Sequence, residues 1–353
     1  MYYNNSIYRE DLKSVFNGNI QFEKIKGSSI LVTGASGMIG SFLVDVLMLC
    51  NDLYSLYIDV FAMSRNKISL EKRFKTHYGN PHFHILQHDV TYPLVCNYQF
   101  DFIIHAASNA YPQAFATDPV GTMMGNIQGV YNLLEYARQK GIKKFLFISS
   151  GEIYGQGTES ISAFDESYSG YIDSTNPRSC YPNSKRAAET LCVSYTKQYK
   201  IDTVIARPCH IYGPTATSKD NRVSSQFINN IIAGNDIIMK SSGSQLRSYC
   251  YVADCVSGVL TILLSGKTGS AYNIANKNSN VTIREMAEMI ADISGKKVVF
   301  ELPDEFERAG YNPVTKSILN ASKLESLGWS AKYDLKNGLI RTIEILKQVQ
   351  TRN

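Results

Sequence analysis

The sequence lacks the segments that mark membrane-spanning and secreted proteins. No stretch approaches the roughly 18 consecutive apolar residues that a helix needs to cross a bilayer. The first residues, MYYNNSIYREDLKSVF, contain no apolar core of the kind found in signal peptides. These absences predict a soluble protein located in the cytoplasm.

Paired cysteines are also absent. None of the seven cysteines forms a C-x-x-C pair, and their odd number and wide spacing are typical of neither a disulfide framework nor a zinc site. We therefore expect reduced thiols that mostly fill the core, and no bound metal. The cysteines are Cys50, Cys96, Cys180, Cys192, Cys209, Cys250 and Cys255.

The sequence has no cluster of basic residues. Its 36 Lys and Arg against 31 Asp and Glu leave a formal net charge of +5, which is spread along the chain. A nucleic-acid-binding protein would concentrate these charges on one face, so we expect no nucleic-acid partner. A mild positive excess suits an anionic small substrate.

Short apolar segments alternate with helical patterns in the first two thirds of the chain. Helical patterns at Met38–Leu49 and Asn126–Lys140 lie between buried strands, as in βαβ units. This alternation predicts an α/β fold: a Rossmann-type doubly wound parallel sheet with a smaller α/β substrate-binding lobe. The predicted strands are Ser29–Thr33, Leu56–Met63, His84–Gln87, Phe102–His105, Lys144–Ser149, Thr203–Arg207 and Ala271–Ile274.

The pattern also divides the chain. We predict a Rossmann domain over residues 28–208, with later segments returning to it near 245–275. Residues 209–345 are predicted to form mainly the smaller lobe, and residues 1–27 an N-terminal extension.

A glycine-rich loop follows the first predicted strand. Gly34, Gly37 and Gly40 have the spacing G-x-x-G-x-x-G between a strand and a helix. The first glycine permits a tight turn, the second lets a pyrophosphate approach the backbone, and the third allows close helix packing. The loop predicts a dinucleotide cofactor. Its candidate contacts are Gly34, Ser36, Gly37, Met38, Ile39 and Gly40.

The end of the second predicted strand lacks the acidic residue that typically binds the ribose of NAD. Arg65 stands there instead, and it either faces the 2′-phosphate of NADP or is a solvated loop charge. Asp89 and Val90, after the third strand, are placed to contact the adenine side. The choice between NAD and NADP stays open at this point.

A tyrosine and a lysine follow the pattern Y-x-x-x-K. Tyr181 and Lys185 lie four residues apart at the start of a helical pattern, so both side chains share one helix face. A lysine ammonium near the phenol would lower its pKa and allow it to act as a base. A surface pair is the alternative interpretation of this spacing alone.

A second hydroxyl motif precedes the tyrosine. Ser150 and Glu152 come directly after the strand pattern KFLFIS, where side chains face the ligand crevice of a doubly wound sheet. Ser150 can bond the reacting oxygen, and Glu152 can move a second proton. The alternative is a turn hydroxyl and a solvated acid.

Taken with these motifs, residues 28–345 resemble the extended short-chain dehydrogenase/reductase superfamily of nucleotide-sugar epimerases, dehydratases and decarboxylases. The stretch from Glu166 to Phe227 is most similar to UDP-glucuronate decarboxylases. Further matching motifs are His105-Ala106-Ala107, Asn126-Ile127-Gln128-Gly129 with Asn132, Arg207-Pro208, Tyr212-Gly213-Pro214, Arg247 before Tyr251-Val252-x-Asp254, and Leu327-Gly328-Trp329.

The resemblance implies oxidation of sugar C4 with bound NAD, NADP being the alternative, and a homodimer. Tyr181 would be the base, Lys185 its partner, Ser150 its hydrogen-bonding helper, and Glu152 the acid of the second step. Implied cofactor contacts also include Ala106, Ala107, Asn126 and Pro208, together with Tyr181 and Lys185. Implied substrate contacts are Ser108, Ser150, Gly151, Glu152, Arg222, Arg247 and Arg308.

Two departures from the family pattern leave the second step open. Decarboxylases carry a basic R-R/K-x-P-D segment before L-G-W, and here only Arg308 or Lys316 is available. Dehydratases place Asp before the glutamate, and here Gly151 stands there. We therefore expect decarboxylation first, 4,6-dehydration or 4-epimerisation as alternatives, and a non-catalytic NAD(P)-binding regulator as a different class.

The expected homodimer has a candidate surface. The apolar face of the Tyr181–Tyr199 helix is a plausible contributor to a helix-pair interface, but the same face is equally well explained as covered by its own domain.

Overall fold

The structure is a computed structural model, and it describes residues 2–158, 160–301, 303 and 314–350. The strands are β1 Ser29–Thr33, β2 Asp59–Ser64, β3 Phe83–Gln87, β4 Phe102–His105, β5 Lys144–Ile148, β6 Thr203–Pro208, β7 His210–Tyr212, β8 Ile237–Met239, β9 Leu246–Tyr251, β10 Ser270–Ile274, β11 Asn280–Thr282, β12 Val298–Phe300 and β13 Lys316–Ser317. The α-helices are α1 Ser6–Ser14, α2 Met38–Tyr54, α3 Lys67–Arg73, α4 Pro112–Thr117, α5 Pro119–Lys140, α6 Cys180–Tyr199, α7 Val223–Ile232, α8 Val252–Ser265, α9 Ile283–Ser294, α10 Ser322–Glu325 and α11 Leu335–Gln350.

Seven parallel strands form the main sheet in the order β10-β6-β5-β4-β1-β2-β3. The central strands are almost wholly buried because helices cover both faces, which is why they read as continuous apolar runs. The strand order reverses between β1 and β4, and this reversal opens a crevice at the carboxyl edge of the sheet. The predicted doubly wound parallel sheet is confirmed.

Two elements begin more than two residues away from their predicted starts. β2 begins at Asp59 rather than Leu56, since Tyr57 has a φ of 53°, which is incompatible with an extended strand. Helix α5 begins at Pro119, seven residues before the predicted Asn126. The side chain of Asp118 caps it by accepting a hydrogen bond from Gly121 N at 2.9 Å, and proline suits the first helical position.

A smaller sheet is built around β9. Strands β11 and β7 pair with β9, as does β13, and β8 pairs with β12 beside them. Only Cys209 separates β6 of the main sheet from β7 of the smaller one. Strand β9 runs directly into α8, which packs on the main sheet, and β10 follows as that sheet's edge strand. The two sheets are therefore joined by very short connections.

The N-terminal segment packs against α2 and against the last helix, α11. On α1, the hydroxyl of Tyr8 donates to Asp45 Oδ2 of α2 at 2.8 Å. One turn later the buried Asp11 accepts a hydrogen bond from the hydroxyl of Tyr251 at 2.6 Å and pairs with Arg341 of α11. This segment therefore links the start of the chain to its last helix.

Over the described residues, none of the helices combines the length and apolar content that crossing a membrane requires.

Candidate active site

Three adjoining cavities lie along the carboxyl edge of the main sheet. The first, of about 190 Å³, is lined by the residues after β2 and β3. The central one, of about 250 Å³, lies at the switch between β1 and β4 and reaches Tyr181. The outer one, of about 450 Å³, opens between α4 and the smaller sheet. Ligands of doubly wound sheets bind at this carboxyl edge, and here the three cavities form a continuous series along it.

The glycine loop has the close contacts that its sequence predicts. A Cβ atom on Gly34 would lie 2.7 Å from the backbone of Ala106 and Ala107, and one on Gly40 would lie 2.4 Å from Gly34 O. Gly37 caps α2 without a side chain, so the unpaired N–H groups of the first helical turn remain available for an anion. This cradle fits a dinucleotide pyrophosphate.

The candidate cofactor residues are distributed between two of the cavities. The first cavity is lined by Ser36, Arg65, Asp89, Val90 and Ala107; the central one by Met38, Ile39, Gly40, Tyr181, Lys185 and Pro208; and both by Gly34, Gly37 and Ala106. They therefore follow the path expected for an extended dinucleotide. The exception is Asn126, which lines none of the three cavities and bonds Ser108 and Ser184 at 2.8 and 2.9 Å.

The adenine end of the first cavity is held by α5. Asn132 Nδ2 donates to Val90 O at 2.9 Å, which fixes the loop after β3. A Cβ on Gly129 would lie 2.9 Å from the Val90 side chain, so α5 approaches this loop closely. At the end of β2, Arg65 donates to Asn109 at 3.4 Å and is exposed at the rim of the cavity.

Ser150, Tyr181 and Lys185 come together at the central cavity. Ser150 follows β5 and caps a short 3₁₀ helix, Gly151–Tyr154, where its Oγ accepts a hydrogen bond from Glu152 N at 3.1 Å. Tyr181 and Lys185 lie on the first turns of α6, as the i, i+4 spacing predicts. The ammonium of Lys185 donates to Ile148 O at 2.8 Å.

The pKa of Tyr181 is raised in this structure, whereas the sequence analysis expected Lys185 to lower it. Burial raises the pKa of Tyr181 to about 12, and the charge of Glu152 adds to the increase, although the Ser150 hydroxyl opposes it. Lys185 does not compensate, because burial lowers its own pKa to about 7. Burial thus outweighs the neighbouring cations in setting the pKa of Tyr181, and the activation of the phenol by Lys185 stays a prediction.

Glu152 is paired rather than solvated. Its two carboxylate oxygens accept hydrogen bonds from Arg178 Nη2 at 3.3 and 3.1 Å. The guanidinium of Arg178 lies 4.5 Å from the ring of Phe115, and that ring stacks on Tyr181 at a centroid distance of 4.7 Å. Glu152, Arg178 and Phe115 therefore form a continuous chain of contacts that ends on the ring of Tyr181.

The outer cavity contains the candidate substrate arginines. Arg222 is paired with Asp220 and lines both the central and the outer cavity, and Arg247 lines the outer one. His210 lies between them, and its Nδ1 is buried without a hydrogen-bond partner. Burial lowers the pKa of His210 to about 3, so the ring is neutral. The site is suited to an anionic ligand.

The remaining substrate candidates are placed as follows. Ser108, Gly151 and Glu152 line the central cavity. Lys316 lines none of the three cavities and donates to Ile161 O at 2.9 Å, so it does not stand in for the family's basic segment. Arg308 lies outside the described residues. No group of three or more His, Cys, Asp or Glu suited to a metal ion occurs in the described part of the chain.

The cavity residues that the sequence analysis missed include three beside the reacting centre: Arg178, Phe115 and His210. Arg178 stands three residues before Tyr181, a spacing that could have indicated it. Phe115 and His210 carry no such signal, because helix α4 and strand β7 approach Tyr181 only in the folded chain.

A parallel sheet with a glycine loop at its switch point, and a Ser, Tyr and Lys facing one cavity, defines a Rossmann-type enzyme of the short-chain dehydrogenase/reductase class. The model of the NAD dependent epimerase/dehydratase family matches residues 30–275. The chain belongs to this NAD-dependent enzyme family.

The similar proteins include decarboxylases and epimerases. UDP-glucuronic acid decarboxylase 6 of Arabidopsis thaliana is 34% identical over 88% of this chain and 86% of its own length. UDP-glucuronic acid decarboxylase 1 of Xenopus tropicalis is 32% identical over 90% of this chain and 72% of its own. The fold is shared with UDP-glucuronic acid 4-epimerase from Bacillus cereus, at 23% identity and a TM-score of 0.76, covering 91% of this chain and 99% of that one.

Proposed function

We propose that the protein is a UDP-glucuronate decarboxylase that oxidises sugar C4, releases CO₂ from C5 and retains its cofactor. The observation that carries this proposal is the carboxylate of Glu152 beside the phenol of Tyr181 in one cavity. The decarboxylases that are 32–34% identical to the chain support the choice of substrate.

The first step requires removal of the C4 hydroxyl proton. Tyr181 Oη accepts this proton, and the Ser150 hydroxyl holds the same oxygen in place. The cofactor NAD⁺, when bound, supplies the hydride acceptor for C4 and a positive charge that the raised pKa of Tyr181 requires. The glycine loop and the first turn of α2 hold its pyrophosphate.

The second step breaks the bond between C5 and the carboxylate carbon. A ketone at C4 makes this group a β-keto acid, so the bonding electrons move onto the C4 oxygen as CO₂ leaves. Tyr181, now protonated, donates a hydrogen bond to that oxygen. Glu152 is placed to move the proton that C5 then takes up. The hydride taken from C4 would finally return to C4, and Tyr181 would protonate the C4 oxygen, so that the net change is the loss of CO₂ alone.

The residue before Glu152 favours decarboxylation over dehydration. A Cβ atom on Gly151 would lie 2.8 Å from the Leu319 side chain and 3.4 Å from Pro208 O. An aspartate, which the resemblance associates with dehydratases, would need Leu319 to move. This position thus supplies no acid for a departing C6 hydroxyl.

The proposal is tested with three separate reactions, in which the enzyme and NAD⁺ are incubated with UDP-glucuronate, dTDP-glucose or UDP-glucose. The products are identified by mass spectrometry. We expect UDP-glucuronate alone to lose the mass of CO₂. Loss of one water from a hexose substrate would instead establish a dehydratase. An unchanged mass with an altered sugar NMR spectrum would establish an epimerase, and no change in any substrate would favour a regulatory protein.

We further propose a homodimer in the cytoplasm. Val120, Met124 and Tyr131 lie on one exposed face of α5, which packs against α6, and such an apolar stripe suits a helix-pair interface. The seven thiols are unpaired, which suits a reducing compartment. Sedimentation velocity would test the dimer, and a monomer at micromolar concentration would refute it.

A further inference from the structure

Arg178 is a buried cation at the boundary between the central and outer cavities. It lies on the short 3₁₀ helix Pro177–Ser179, directly before α6, and its side chain is only 11% exposed. It lines the outer cavity together with Glu152 and Phe115. Its position is fixed from two sides, by the ion pair with the glutamate and by the ring beneath it.

The guanidinium of Arg178 has unused hydrogen-bonding capacity. Only Nη2 contacts Glu152, and Nε is buried with no partner. A guanidinium offers five N–H donors in a planar fork that matches a carboxylate in a bidentate geometry. The side chain is partly exposed and lines the outer cavity, so the guanidinium can meet a ligand there while it stays paired with Glu152.

The other described cations of the outer cavity are already engaged. Arg222 donates from Nε and Nη2 to Asp220, and Arg247 donates to Leu246 O and Val314 O. Lys240 pairs with Glu301 at 3.3 Å. Arg178 also differs by contacting the ring that stacks on Tyr181.

The proposed chemistry requires a cation at this place. In a uronate, the carboxylate carbon is two bonds from C4, about 2.5 Å away, so it must lie beside Tyr181 when C4 does. Glu152 occupies the same region, and two adjacent carboxylates repel each other unless a cation lies between them. Arg178 is in contact with one of the two and lines the cavity that would receive the other.

We propose that Arg178 binds the C6 carboxylate of the substrate and thereby selects a uronate over a neutral hexose. This inference rests on the proposed function, and it assigns the enzyme's substrate specificity to the side chain of Arg178. Arg178 holds Glu152 through Nη2 and meets the substrate carboxylate with the part of its guanidinium that lines the outer cavity. The matched neutral ligand is UDP-glucose, which differs only in carrying a hydroxymethyl group in place of the C6 carboxylate.

The test measures binding in a Tyr181→Phe background that blocks turnover. In the NAD⁺-loaded protein, calorimetry with UDP-glucuronate, UDP-glucose and UDP compares R178Q with the parent. We expect affinity for UDP-glucuronate to fall by about 10-fold to 100-fold, while affinity for UDP-glucose and UDP stays within about twofold. R178K keeps the positive charge but loses the planar fork of donors, so its affinity for UDP-glucuronate should lie between those of the parent and R178Q.

The same titrations in an E152Q background separate direct binding from an effect through Glu152. If Arg178 contacts the substrate, R178Q still costs affinity for UDP-glucuronate when residue 152 is uncharged. A loss that disappears with E152Q, or one that is equal for all three ligands, overturns the proposal. Unchanged UDP affinity also shows that the variants are folded.

The proposed function fails in a different way. It is refuted if the native enzyme releases water from a hexose substrate or leaves UDP-glucuronate unaltered, whatever R178Q does to binding. Conversely, CO₂ release by the native enzyme combined with unaltered uronate affinity in R178Q refutes only the role of Arg178.

Discussion

At the scale of single residues, Tyr181 is the group on which the chemistry depends. We expect Tyr181→Phe to lower kcat by about 10²-fold to 10⁴-fold, because it removes the proton acceptor while keeping the ring that stacks on Phe115. NAD⁺ and UDP affinities should be unchanged. Product formation and calorimetry check this, with Tyr199→Phe at the exposed end of the same helix as control. A loss below tenfold would contradict the assignment.

Lys185 gives a pH dependence with a defined sign. Burial lowers the pKa of Lys185 from 10.5 to about 7. Between these values the unfolded chain holds a proton on this lysine that the folded chain has released, so this group makes the protein more stable as the pH rises from 7 to 10.5. Below pH 7 both states are protonated and the cost of the buried charge is fully present.

Lys185→Met should therefore lose this pH dependence. We expect the difference in unfolding free energy, native minus variant, to increase between pH 7 and pH 9.5 in urea titrations. Lys197→Met, on the exposed surface of α6, controls for removal of a lysine from the same helix. A difference that is constant or falls over this range would show that the buried lysine stays charged.

Much of the residue-level site could be predicted, and the failures have a common cause. The glycine loop and the spacing of Tyr181 and Lys185 are local patterns, so the sequence displays them directly. Arg178 and Phe115 function through contacts between α4, the 3₁₀ helix and α6, which no local pattern encodes. The raised pKa of Tyr181 was missed because burial, a tertiary property, exceeds the effect of the neighbouring charges.

At the scale of elements, α1, α2 and α3 meet at one buried carboxylate. Asp45 is fully buried, and it accepts hydrogen bonds from Tyr8 and Arg73 as well as contacting His77 Nε2 at 2.8 Å. Burial alone would raise the pKa of Asp45, but Arg73 and His77 outweigh it and lower the value. The carboxylate is therefore charged and depends on its partners.

Arg73→Met should cost about 3–5 kcal/mol of unfolding free energy, because it leaves the charge of Asp45 buried without its main partner. The double variant D45N/R73M should cost less than the sum of the two single changes. Urea unfolding at neutral pH measures all three. A loss below about 1 kcal/mol for Arg73→Met would mean that this pair does not hold α1 and α3 to α2.

Elements were predicted best where they are buried and regular. The strands of the main sheet are apolar runs and were located within a few residues. The start of α5 was missed because Asp118 and Pro119 set it, before the apolar pattern begins. The pairing of β7, β11 and β13 with β9 depends on contacts distant in sequence, and these short strands carry no clear pattern of their own.

At the scale of the whole molecule, the two sheets should unfold together. Helix α1 contacts α2 through Tyr8, and α11 through Asp11 and Asn5, whose Nδ2 donates to Gln348 at 2.8 Å. Trp329, the only tryptophan, is buried and donates to Ser257 Oγ of α8 at 2.9 Å. Its fluorescence therefore reports on the packing of the C-terminal region against α8.

We expect urea transitions followed by Trp329 fluorescence and by far-UV circular dichroism to coincide. Saturating NAD⁺ at about 100 times its Kd should shift both by about 2.7 kcal/mol, since it binds only the folded chain. Two separate transitions, or a shift confined to one signal, would show that the smaller sheet unfolds independently.

The single residue between β6 and β7 leads to an expectation about the length of the substrate. With only Cys209 as spacer, and with β9 running without interruption into α8, neither connection has the length to act as a hinge. We therefore expect the separation between Arg247 and Tyr181 to stay nearly constant when a substrate binds. If Arg247 binds the nucleotide diphosphate, as the family resemblance implies, a sugar joined to its nucleoside by one phosphate would not bring C4 to the phenol, and we expect it to bind without reacting.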